Sequence, residues 1–313
     1  MSSSPIRLEP RLGNQNNLLL WRDFHRELRL LDRSPRTIQG YLEAVEQLEA
    51  FCDGADLEEL TKIEIGDYLL HVQDTHSLTT AGNRFRSLRR FYNWMAEEEG
   101  IDLEVSPMQT LKEPKPKSQP IPIPSIEDVR KLLATCNTKD HDGYRDEAII
   151  RLFCEPGAPR VAEMAGIEPD RIDFTQDVVA ILGKGRKWRA VPFGARTGKA
   201  LTRYMRARDK HPLAKQKNAP KEMWLGARGK ALTPSGIYQM IERRCDFAGI
   251  DRIHPHQLRH FAADAWFAAG GSDQDGMRLF GWSSLEMPRR YGAANAEQRA
   301  IQTHQRMAIG DQL

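Results

Sequence analysis

Apolar residues recur every three to four positions through most of the first hundred residues, the spacing of helices that turn one face toward a core. Ser34-Pro35 supplies a capping hydroxyl followed by proline at the first helical position, and it opens a helix running to about Phe51. Thr61 and Glu64 have the spacing of a capping box and open another, with Ile65, Leu69 and Val72 on one stripe. From about Thr80 to Glu98, Phe85, Leu88, Phe91, Tyr92 and Met95 form the apolar stripe. Arg84, Arg86, Arg89 and Arg90 take the remaining faces of that helix, and Gly100 is expected to stop it. The pattern predicts a compact bundle of four or five helices, one of them basic.

The periodicity then lapses. Residues 112–124 contain five prolines, which favours an extended, semi-rigid segment with no core of its own. The expected organisation is a helical domain over 1–111, a linker over 112–124, a second domain over 125–295 and a tail over 296–313. Ser125 caps a fresh helix ending near Cys136, Arg145–Cys154 reads as the next, and Arg160–Gly166 as a short one. Two β-rich runs follow, Ile172–Leu182 and Trp188–Phe193, separated by the hairpin signal Gly183-Lys184-Gly185-Arg186. Helical spacing returns at 197–208, 234–248, 255–269 and 273–280, and once more in the tail at 296–308.

Composition narrows the class. Hydrophobic residues are 40% of the 313 and charged residues 28%, enough apolar material for real cores and too much for wholesale disorder. The longest apolar run, around Leu18–Trp21, is far short of a membrane span, and the first residues lack the plan of a secretion signal. Cys52, Cys136, Cys154 and Cys245 are too scattered for a disulfide framework or a zinc knuckle. The expectation is a soluble, cytoplasmic protein. Net charge is only +3, but residues 171–260 hold 20 Lys and Arg against 7 Asp and Glu, while residues 41–70 carry nine acids and one base. With the arginines of 84–90, this distribution points to a surface for a polyanion, nucleic acid first.

The second domain also carries phosphate-directed groups. Arg160 follows Gly157-Ala-Pro, with Glu163 three residues on and able to orient its guanidinium. Lys184 lies between two glycines at the hairpin tip. His256 and Arg259 are three apart and share a helix face; Trp282 follows Gly281, and Tyr291 follows the helix-breaking Pro288. Two arginines suit the extra charge of a pentacoordinate phosphorus, a tyrosine hydroxyl can attack it, and a lysine can protonate the leaving oxygen. None of these steps calls for a metal. Singly, each residue is as well explained by ordinary packing or a solvated charge. Their order and spacing carry the argument.

The series Arg160 … Lys184 … His256-x-x-Arg259 … Trp282 … Tyr291 resembles the tyrosine recombinase (phage integrase) family. The local strings Gly157-Ala-Pro-Arg160-Val-Ala-Glu163, Gly183-Lys-Gly-Arg-Lys-Trp-Arg-Ala-Val-Pro192, His256-Gln-Leu-Arg-His260 and Leu279-Phe-Gly-Trp282 carry the likeness. It implies a mostly α fold with a small antiparallel sheet in the C-terminal domain, and two domains that clamp DNA. It also implies roles: Tyr291 as nucleophile, Arg160 and Arg259 as phosphate clamps, Lys184 as general acid, His256 as proton manager, Trp282 as an indole donor, and Glu163 as support. No cofactor is implied. Partners would be double-stranded DNA with an inverted-repeat core site, further copies forming a tetramer, and an accessory directionality protein; no membrane is expected. Arg84, Arg86, Arg89, Arg90, Arg186, Lys187, Arg189, Arg243 and Arg244 are the expected DNA contacts. The likeness leaves open whether the tail docks on a neighbouring protomer or on its own core.

Two departures from the family stand out. Ala158-Pro159 precedes Arg160 where many members have Gly-Leu, and Trp282 stands where most bacterial members have histidine. The simple Xer- or Cre-like plan, without an arm-binding domain, fits the length. Rival readings are a type IB topoisomerase or telomere resolvase with the same chemistry, and a metal hydrolase built on His254, His256, His260 and Cys245. The last lacks the acidic third ligand or general-base glutamate of a zincin.

Overall fold

The computed structural model describes residues 10–98, 101, 103, 105–116, 121–183, 187–212, 214, 216, 218–226, 228–288, 301, 304 and 305. The chain divides into two compact units, residues 2–119 and residues 120–313, so the boundary falls within the proline-rich segment. Lys184, Arg186, Tyr291 and nearly all of the tail predicted at 296–308 lie outside the described residues.

Among the described residues the first unit contains four helices: α1 (Gln15–Leu30), α2 (Pro35–Phe51), α3 (Lys62–Thr75) and α4 (Leu78–Met95). Each starts at a side-chain cap, Asn14, Ser34, Thr61 and Ser77, which satisfies backbone N–H groups that no earlier turn can reach. α4 begins and ends earlier than its stripe predicts, because the Ser77 hydroxyl accepts the Thr80 N–H and the helix stops at Ala96, short of Gly100. The core is aromatic: Phe24 meets Phe91 edge-on at 5.1 Å, and Trp94 packs beside both. Within this core sits a charged cap. Glu49 is 3% exposed and accepts the N–H groups of Gly13 and Asn14 at 2.9 and 3.1 Å, fixing the entry to α1.

In the second unit, α5 (Ile126–Ala134), α6 (His141–Phe153) and α7 (Val161–Ala165) precede a three-stranded antiparallel sheet of β1 (Ile172–Asp173), β2 (Val178–Leu182) and β3 (Trp188–Pro192). Then come α8 (Ala195–Asp209), α9 (Pro234–Ala248), α10 (Pro255–Ala268) and α11 (Asp273–Phe280). The run Ile172–Leu182 is not one strand. Asp173 accepts the N–H groups of Thr175 and Gln176, and Asp177 takes a left-handed φ of 52°, so the chain reverses and the two halves pair. Ile149, Ile150, Leu152 and Phe153 of α6 are fully buried among the sheet, α8 and α9. Burial of each contributes about 1.5–3 kcal/mol. A second, smaller core lies under α10 and α11, where Phe267, Phe280 and Trp282 stack.

One expected surface arginine is interior. Arg244 of α9 donates from Nε to Asp146 at 2.9 Å and from Nη1 to the Thr135 carbonyl at 2.6 Å, and Arg145 holds the other oxygen of Asp146. Its guanidinium is therefore part of the joint between α5, α6 and α9 and is not available to DNA. No helix among the described residues is long and apolar enough to cross a membrane.

Candidate active site

Four of the six residues given catalytic roles in the sequence line one cleft of about 1060 Å³ within the second unit, Arg160, His256, Arg259 and Trp282, and so do Lys187 and Arg189 from the expected DNA contacts. The four come from three separate stretches. Arg160 is the N-cap of α7, His256 and Arg259 lie in the first turns of α10, and Trp282 follows α11. Gly183 and Lys187, on either side of the hairpin tip, line the same cleft, and the Gly183 N–H donates to the Lys187 carbonyl at 2.9 Å. Lys184, between them in the sequence, lies outside the described residues. Tyr291 is likewise outside them, three residues beyond Pro288; Met287, just before that proline, lines the cleft.

The arginines are held by backbone carbonyls and by one carboxylate. Glu163 accepts the Arg160 backbone N–H at 2.8 Å with one oxygen and Arg160 Nη1 at 2.8 Å with the other. Arg160 Nη2 donates to the Gly281 carbonyl at 3.3 Å, which links α7 to the turn after α11. Arg259 is 3% exposed; its Nη1 donates to the Ala158 carbonyl and its Nη2 to the Phe280 carbonyl at 2.5 Å. Its guanidinium lies 5.2 Å from the Phe280 ring centroid, and that ring stacks on Trp282 at 4.6 Å. These bonds fix the plane of each fork, and a fixed fork presents its N–H groups to phosphate without reorganising.

His256 shares a 2.9 Å hydrogen bond between its Nε2 and the Nε2 of His260, one helical turn on, so one ring donates and the other accepts. His260 is buried at 4% exposure; its i,i+4 spacing to His256 is legible in the sequence, where it suggests a metal pair rather than a partner for the His256 ring. The metal arrangement does not form. Cys245 is buried in the core, with its sulfur accepting the Ile253 N–H, and no three His, Cys, Asp or Glu side chains among the described residues converge as a metal set.

Arg189 is the main correction. Expected as an exposed DNA contact, it lines the cleft with a side chain only 9% exposed and forms an ion pair with Glu163 at 2.8 Å. Burial pushes the Glu163 carboxyl up, yet the Arg160 backbone N–H and the Arg189 charge outweigh it and hold the group below its ordinary 4.5. The signal for Arg189 was present in the strand period. In the ladder Arg189 pairs with Ile181 and Val191 with Val179, so Arg189 stands on the core-facing side of β3 while Trp188 and Ala190 face out.

The other basic candidates divide. Lys187, Arg89 and Arg243 are exposed. Arg86 is bound to Glu113 and Asn83, Arg90 to Glu27 at 3.3 Å, and half-buried Arg84 to the Gly40 carbonyl at 3.5 Å.

Comparison with known proteins gives a consistent result. Residues 125–298 match the model of the Phage integrase family, and residues 20–102 match the phage integrase N-terminal SAM-like domain. Tyrosine recombinase XerC of Myxococcus xanthus is 31% identical over 271 residues, covering 85% of this chain and 89% of that protein. XerC of Corynebacterium glutamicum is 29% identical over 277 residues, covering 86% and 85%. Among solved structures, XerH site-specific recombinase bound to a palindromic difH substrate superposes with a TM-score of 0.70 at 18% identity, covering 96% of this chain and 90% of that one. A lambda integrase (75-356) dimer bound to a COC' core site gives 0.67 at 16% identity, covering 87% and 93%. At these identities the two structures share the fold.

Proposed function

The chain belongs to the phage integrase family, and from that premise we propose that it is a site-specific DNA recombinase that cuts and rejoins strands through a 3′-phosphotyrosyl intermediate. The observation that carries this reading is the convergence of Arg160, His256, Arg259 and Trp282 on one cleft bordered by both ends of the Lys184 hairpin. The Tyr291 oxygen attacks the scissile phosphorus and the P–O bond to the 5′-oxygen breaks, with Lys184 supplying the proton that leaves with it. Arg160 and Arg259 stabilise the charge on the non-bridging oxygens, His256 manages the tyrosine proton, and the Trp282 indole N–H contacts the phosphate. The ester conserves the energy of the broken bond, so rejoining needs neither ATP nor metal. The DNA substrate is an inverted-repeat core site recognised by copies that assemble into a tetramer, with exposed Lys187, Arg89 and Arg243 among the phosphate contacts.

The test is covalent capture. Wild-type protein incubated with a nicked suicide duplex should give a protein–DNA band that survives denaturation, and Tyr291→Phe should bind the same duplex and give none. A persistent band in the Phe variant would move the nucleophile elsewhere, with Tyr238, which lines the cleft, next to examine. Replacing the bridging 5′-oxygen with sulfur should restore cleavage by Lys184→Ala, because a thiolate leaves without a proton. Failure of that rescue would remove Lys184 from the general-acid role.

A further inference from the structure

A single buried cation touches three of the segments that build the cleft. Arg189 Nη1 donates to the Gly157 carbonyl at 2.6 Å, in the turn before Arg160, and to the Leu279 carbonyl at 2.5 Å, in the last turn of α11. Its Nη2 holds Glu163 Oε2 at 2.8 Å, the same oxygen that accepts the Arg160 backbone N–H. The partners are 32, 90 and 26 residues away in the chain, so this contact is a tertiary brace and not a local turn.

The surroundings fit that brace closely. Gly281 takes a left-handed φ of 63°, and a Cβ there would stand 3.1 Å from Arg189 Cδ and 3.2 Å from its Nε. Gly157 is also left-handed at φ 89°, and a Cβ on it would lie 2.9 Å from the Leu279 carbonyl oxygen that Arg189 binds. Glycine at 281 leaves room for the Arg189 side chain, and glycine at 157 lets its backbone approach that of Leu279. The turn at Gly281 is the one whose carbonyl holds Arg160 Nη2, and it leads directly into Trp282.

We propose that Arg189 is a positioning residue for strand cleavage: its guanidinium fixes Glu163, and through it Arg160, at a set distance from the α11 turn that carries Trp282. The inference rests on the recombinase reading given above. Arg189 also lines the cleft, but both of its Nη groups are already bound to protein acceptors. A planar fork can reach three acceptors in three directions, whereas a lysine ammonium on a shorter, unbranched head cannot span them. Displacement of a phosphate clamp by about 1 Å costs on the order of 10²-fold in rate.

The experiment uses full-length protein with Arg189→Lys and Arg189→Ala, and a nicked duplex whose core site is selected from a randomised inverted-repeat library. Single-turnover cleavage is measured at saturating DNA beside affinity across a salt series, with circular dichroism at the assay temperature. Arg189→Lys keeps the charge and serves if the alanine variant is unfolded. The expected result is cleavage about 10²-fold slower in either folded variant, with the slope of log affinity against log salt unchanged. In an Arg160→Ala background the further loss should shrink to about threefold or less, since the brace then has little left to position. Cleavage preserved at saturation with a slope shallower by about one would make Arg189 a phosphate contact and overturn the proposal. So would a full, additive loss in the Arg160→Ala background. If wild-type protein forms no covalent band on this duplex, the recombinase reading itself fails, and the positioning role falls with it.

Discussion

Two helices in this molecule begin with the same local device and use it differently. At the start of α3, Thr61 and Glu64 exchange bonds: the Thr61 N–H donates to Glu64 at 2.8 Å and the Glu64 N–H to the Thr61 hydroxyl. Both residues are exposed, and the arrangement ends at the helix it starts. At the start of α7, Glu163 again accepts the N-cap N–H at 2.8 Å, but the N-cap residue is Arg160, whose side chain has no acceptor to return. The carboxylate instead binds the guanidiniums of Arg160 and Arg189 and is 8% exposed. α10 makes a similar substitution, with His254 at the N-cap and Gln257 accepting its N–H at 2.8 Å. At α7 the N-cap position is thus given to a residue that lines the cleft, and the residue three places on supplies the capping bond, whereas α5, α6, α9 and α11 keep ordinary side-chain caps. A five-residue helix such as α7 has little stability of its own, so its geometry depends on those outside partners.

Substitutions in the two boxes should separate these uses. The largest effect is expected from Arg160→Ala, about 10³-fold in single-turnover cleavage with DNA still bound, because a charge-stabilising donor is lost at the reacting phosphate. Retained cleavage would show that the α7 box is no different in kind from that of α3. Glu163→Gln should slow cleavage by about 10²-fold and lower stability by about 2 kcal/mol, since a bond to a buried guanidinium loses its charge. That stability difference has a pH signature. The Glu163 carboxyl lies below its ordinary 4.5, so its contribution is complete above about pH 4.5 and is lost as pH falls through the lower, folded value. The gap in melting temperature between wild type and Glu163→Gln should therefore narrow in acid, and a gap constant from pH 7 to pH 3 would argue that the ion pair is idle.

Gly281→Ala should slow cleavage by about tenfold and cost about 1–2 kcal/mol, because a left-handed alanine is strained and its methyl crowds Arg189. The smallest effect belongs to the other box. Thr61→Ala should cost about 1 kcal/mol of stability and leave the cleavage rate at saturating DNA unchanged. A cleavage defect there would erase the contrast.

The helix starts were the most legible features, because capping is written in adjacent residues: Ser34-Pro35, Ser125 and Thr233-Pro234 each open a helix where the sequence predicts one. α6 begins at His141, earlier than the predicted Arg145, because Asp140 caps it through a first turn whose His, Asp and Gly hide the apolar period. The order of Arg160, His256, Arg259 and Trp282 along the chain was enough to nominate them, and one cleft holds all four. Local charge counts misled at Arg189 and Arg244. A count of lysines and arginines does not say which way a side chain points, and the acidic partners, Glu163 and Asp146, are 26 and 98 residues away. Strand alternation would have turned Arg189 inward; for Arg244 only the fold brings Asp146 near.

The two units also have separate hydrophobic interiors, one built around Phe24 and Phe91, the other around Phe153 and Trp224. Chains with more than one core need not lose structure in a single cooperative step. Heat absorbed on unfolding should therefore be divided between the units, and a lone transition midpoint is not a thermodynamic constant of the whole chain. Thr61 and Glu163 would then report on different endotherms, and the calorimetric trace can tell which half of the molecule a substitution has loosened.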